Sequence, residues 1–79
     1  MKAQLISGTF EKSDAIDLVT KMVNAKVKFN ENKVKSTSTE EDVKMREAKI
    51  KNLQKELYEI RNYIENQYEV TINCEITLN

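Results

Sequence analysis

The sequence predicts an α+β fold in which two terminal strands pair antiparallel and pack on a helical hairpin, in the order β-α-α-β. Three observations predict it. Val43, Ile50, Leu53, Leu57, Ile60 and Ile64 recur at steps of seven, three, four, three and four, which is one stripe of a long helix across residues 39–67. Tyr68, Val70, Ile72, Cys74, Ile76 and Leu78 alternate with Glu69, Thr71, Asn73, Glu75 and Thr77, as in a strand with one buried face. Ahead of the long helix, Ala15, Ile16, Leu18, Val19, Met22, Val23 and Ala25 fill an arc of about half a helix circumference. With short connections the chain reverses at every element, so the first and last strands run antiparallel and become neighbours.

Residues 2–10 form the first strand. Ile6 and Phe10 share one face, Gly8 between them marks a close backbone approach or a bulge, and Leu5 falls on the other face, so cover on both sides is expected. Ser13 is the expected N-cap of the first helix, with Asp14 and Asp17 complementing its dipole. A helix resting on one surface needs roughly 100° of apolar arc. The first helix has nearly twice that, which predicts a second contact surface. Ile16, Val19, Met22, Val23 and Phe29 are the expected oligomer interface.

Residues 26–35 admit two readings. Continued as helix, they add Val27, Phe29 and Val34 to the arc and place Lys26, Asn30 and Lys33 near its middle. With period two, Asn30-Glu31-Asn32 becomes a hairpin turn, and the order becomes the ferredoxin-like β-α-β-β-α-β. The turn has no glycine, and neither Asn-Gly nor Asp-Gly occurs, so the helix is expected.

Ser36-Thr37-Ser38-Thr39 is the one linker, and Ser38 with Glu41 forms a capping box for the long helix. Glu40 and Asp42 complement the dipole there, and Glu40–Lys44, Asp42–Arg46 and Glu47–Lys51 have the spacing of i,i+4 ion pairs.

Ile6-Ser-Gly-Thr-Phe10, Ser13-Asp-Ala15 and Lys26-Val-Lys-Phe29 resemble small uncharacterised bacterial and phage proteins that open with a strand ending Gly-Thr-Phe and a capped helix. The resemblance covers under a quarter of the chain and implies no activity.

Seventy-nine residues allow a single domain, 1–79, with a small core. At 39% hydrophobic and 33% charged the chain is neither a disordered tail nor a membrane span, and zero formal net charge gives no global pull toward nucleic acid or lipid. The N-terminus lacks the apolar run of a signal peptide, and the lone Cys74 forms no internal disulfide, so a cytoplasmic protein is expected. A small core without a covalent staple favours a homo-oligomer, most simply a dimer.

Histidine is absent and the single glycine rules out a phosphate-cradling loop. Cys74 is expected in the core, and Glu40, Glu41 and Asp42 are better explained by the helix start than by a metal. No catalytic, cofactor or metal residue is therefore predicted, and the chain is not expected to be an enzyme. Lys26, Lys28, Lys33 and Lys35 form the one basic cluster, a candidate contact patch, with Phe29 the only aromatic among them. Lys26 draws separate notice because a buried lysine could act as a base. The expected function is a non-enzymatic, self-associating interaction module; the alternative is a nucleic-acid-associated regulator using the lysine cluster.

Overall fold

The computed structural model describes residues 1–36 and 39–79. The order is β1 (Lys2–Glu11), α1 (Lys12–Ser36), α2 (Glu40–Glu65) and β2 (Glu69–Thr77). β1 and β2 pair antiparallel in a two-stranded sheet, and the helices pack as a hairpin. This is the expected β-α-α-β fold. Residues 26–35 are helical throughout, and the ferredoxin-like alternative is excluded.

β1 passes directly into α1, because Glu11 still pairs with Glu69 and Lys12 is already helical. Ser13 is thus inside the first turn and is not the cap. At the other helix start Thr39 is extended (φ −97°, ψ 135°) and occupies the N-cap position; its hydroxyl donates to Asp42 Oδ2 at 2.7 Å. The Ser38–Glu41 box lies outside the described residues. Glu40 closes on Lys44 at 3.5 Å.

The sheet carries one irregularity, and it explains which face is covered. Ala3 pairs with Ile76 and Gln4 with Glu75, but Cys74 pairs with Ile6, so Leu5 is an extra residue. That insertion shifts the alternation by one. Ala3 and Ile6, an odd and an even position, both face inward with Gly8 and Phe10. Leu5, expected to need cover on the second face, is instead 59% exposed at the bulge. Gly8 is not the bulge, yet its φ of +147° is open only to glycine, and Phe10 packs across its missing side chain. Opposite, Val70, Ile72 and Cys74 are half-buried, so Cys74 lies at the edge of the core and not inside it.

The core is small. Ala15 and Val23 of α1 and Leu53 and Ile64 of α2 are buried, and among the described residues no large side chain is fully enclosed. The Cα trace spans 45 × 32 × 13 Å with a radius of gyration of 15.0 Å, against about 12 Å for a compact domain of this length. Two helices side by side are about 14 Å broad. The 32 Å breadth matches a strand of nine or ten residues at about 3.3 Å each, so the sheet overhangs the hairpin. It touches the hairpin mainly through α1. Its far end leaves Met1, Leu5, Ile76 and Leu78 exposed.

Candidate functional site

α1 and α2 are antiparallel, so residues whose numbers sum to about 76 lie level across the hairpin; Asn30 and Arg46 are such a pair. Asn30 sits in the middle of the apolar arc, only 6% exposed. A buried amide is costly unless both ends are bonded. Here Nδ2 donates to the Lys26 carbonyl at 2.9 Å, and Oδ1 accepts from Arg46 Nη1 at 3.0 Å. Asn30 thereby ties α1 to α2 and holds the guanidinium in place.

Phe29, one position earlier, is 55% exposed. Lys33 Nζ lies 5.5 Å and Arg46 Cζ 6.0 Å from its ring centre, both within cation–π range. Beside the ring, a groove of about 560 Å³ opens between the helices. Phe29 and Leu53 supply its apolar lining, and Lys26, Arg46 and Lys49 supply cations against one acid, Glu56. The groove is an open trough of the size of a small-ligand site.

The expected interface residues do not share one exposed face. Val23 is buried within the protomer, Ile16, Val19 and Met22 are half-buried, and only Phe29 is broadly open. The surplus arc on α1 is partly taken up by α2 and the sheet. Val23 is therefore a core residue.

The four lysines are likewise separated. All are exposed, but Lys26 and Lys28 stand about 200° apart around α1, and a step of seven puts Lys33 with Lys26 and Lys35 with Lys28. The cluster is contiguous in sequence and divided in space. Lys26 and Lys33 flank the Phe29 side; Lys28 and Lys35 face the other way. Lys26 is solvent-exposed, so the arc does not bury its ammonium.

Sequence reasoning missed Arg46 and Lys49 as parts of a site. Arg46 has the spacing of a local pair with Asp42, and its bond to Asn30 also spans the hairpin. The available signal was Asn30: a polar residue in an apolar arc requires a partner at its level on the facing helix. One group finds none among the described residues, the buried hydroxyl of Thr20 on α1.

Among the described residues no helix is long and apolar enough to cross a membrane. Comparison with protein-family models, curated proteins and solved structures finds no match.

Proposed function

We propose that this chain is a small non-enzymatic interaction module that works by associating with itself, most simply as a two-fold dimer in the cytoplasm. One observation carries the reading. The protomer exposes 6241 Å², whereas a compact monomer of 9.2 kDa exposes about 4,900 Å². The excess, about 1,300 Å², is more than the ~800 Å² each partner contributes to a standard interface. The exposed large side chains include Phe29, Tyr58, Tyr63 and Tyr68, with Leu5 and Leu78 at the sheet's far end. A solitary protomer leaves these in water, and burying them against a second copy contributes about 25 cal/mol per Å² before the cost of association.

The resemblance to small bacterial and phage proteins belongs to this reading and adds no activity. The alternative of a nucleic-acid regulator ranks second, because the Lys26–Lys35 cluster divides between two sides of α1 and phosphate contact is served best by cations on one surface. Sedimentation equilibrium at micromolar concentration tests the reading. A mass near twice 9.2 kDa is expected. A single 9.2 kDa species at every concentration overturns it.

A further inference from the structure

Zero net charge conceals a division along the hairpin. Residues 21–55, the half nearest the end of α1 and the start of α2, carry 10 of the 13 lysines and arginines but only 5 of the 13 acids. Because Lys21 and Lys55 are level across the hairpin, that boundary is a transverse cut through the molecule. The other half of the hairpin carries Lys12 and Arg61 against Asp14, Asp17, Glu56, Glu59 and Glu65. The strands add Glu11, Glu69 and Glu75 against Lys2. The protomer is a dipole of about five charges each way, set along its length.

The groove lies in the basic half, and its occupant must supply acids with apolar or aromatic side chains between them. The same side of α2 supplies that pattern further along. Lys49, Glu56 and Tyr63 recur at steps of seven, with Glu59 and Ile60 between them. Tyr63 is 65% and Ile60 37% exposed. We infer that the groove beside Phe29 is the seat for a second copy of this chain, docked antiparallel so that the acidic half of one hairpin lies along the basic half of the other. Tyr63 and Ile60 of the partner subunit meet Phe29 and Leu53. Glu59 of the partner subunit meets Lys49 and Lys26. A two-fold axis near the middle of α2 makes each contact twice, as an isologous interface requires. A parallel arrangement would stack like charges and is disfavoured by the same division. The inference rests on the self-association reading and adds the orientation, the seat and the charge dependence.

The test is charge reversal with complementation. One variant carries Lys26→Glu with Lys49→Glu, and the other Glu59→Lys; all three residues are exposed. Each variant alone places like charges in both seats, and its dimer dissociation constant should rise by at least about tenfold. Mixing the two restores opposite charges in both seats, so heterodimers should form with about wild-type affinity, which also shows that both variants fold. Raising salt from about 50 to about 500 mM should weaken the wild-type dimer. A monomeric wild type overturns self-association and this inference together. A dimer indifferent to salt and to both variants overturns this inference alone and places the contact on the strand edges or the sheet's far end. Variants that dissociate but do not complement each other overturn the antiparallel seating. A wild type that stays monomeric while binding an acidic peptide in the groove assigns the seat to another protein and also overturns it.

Discussion

Asn30 shows how one polar residue organises an apolar interface. Both ends of its amide are used, one within α1 and one across to Arg46. Asn30→Ala leaves the Arg46 guanidinium without that acceptor and opens a small void. It should cost about 1–3 kcal/mol in urea unfolding. Combined with Arg46→Ala, the loss should be clearly less than the sum of the single losses, because the two side chains share one bond. Additive losses would show that the bond contributes nothing. Thr20 is the opposite case. Its buried hydroxyl has no partner among the described residues, so Thr20→Val, nearly isosteric, should raise stability by about 1 kcal/mol, read as a higher urea midpoint at unchanged slope.

At the scale of elements, β1 is the informative one. Leu5 is an insertion in an otherwise regular ladder, since Gln4↔Glu75 and Ile6↔Cys74 are consecutive pairs on β2. Deleting Leu5 should leave every other residue on its present face and change stability by no more than about 0.5 kcal/mol, because the lost side chain is 59% exposed. A collapse of the thermal transition on deletion would mean that the bulge itself is required, through the extra twist it gives the strand. Gly8→Ala is the contrasting change. At φ +147° an L-residue is strained, and about 1–3 kcal/mol should be lost. Cys74, half-buried and paired with Ile6, should show an intermediate rate of thiol labelling in the native state, slower than in urea but not blocked.

The whole molecule is better described as a hairpin with an overhanging sheet than as a packed sphere. Four buried apolar side chains, among the described residues, are a thin core for 79 residues, and stability should therefore depend on what covers the remaining surface. The thermal midpoint should rise with protein concentration, since mass action stabilises a folded state that only the folded chain can associate into. A midpoint constant over a hundredfold range of concentration would mean the protomer is stable alone.

Local pattern was enough for the elements. Period 3.6 marked both helices, period 2 marked β2, and the absence of a hairpin glycine carried α1 through residues 26–35, because these signals depend only on neighbours along the chain. The position of Asn30 within an apolar arc was legible for the same reason. What tertiary structure decided are the matters that depend on residues distant in sequence. The Leu5 bulge follows from where β2 pairs with β1, and no pattern within residues 2–11 locates it. The bond from Asn30 to Arg46 depends on the level at which the hairpin closes. The four lysines, adjacent in sequence, are divided by the turn of their own helix. The burial of Val23 beside an open Phe29 depends on how far α2 and the sheet reach along α1, and reach is set by crossing geometry, which no single segment encodes.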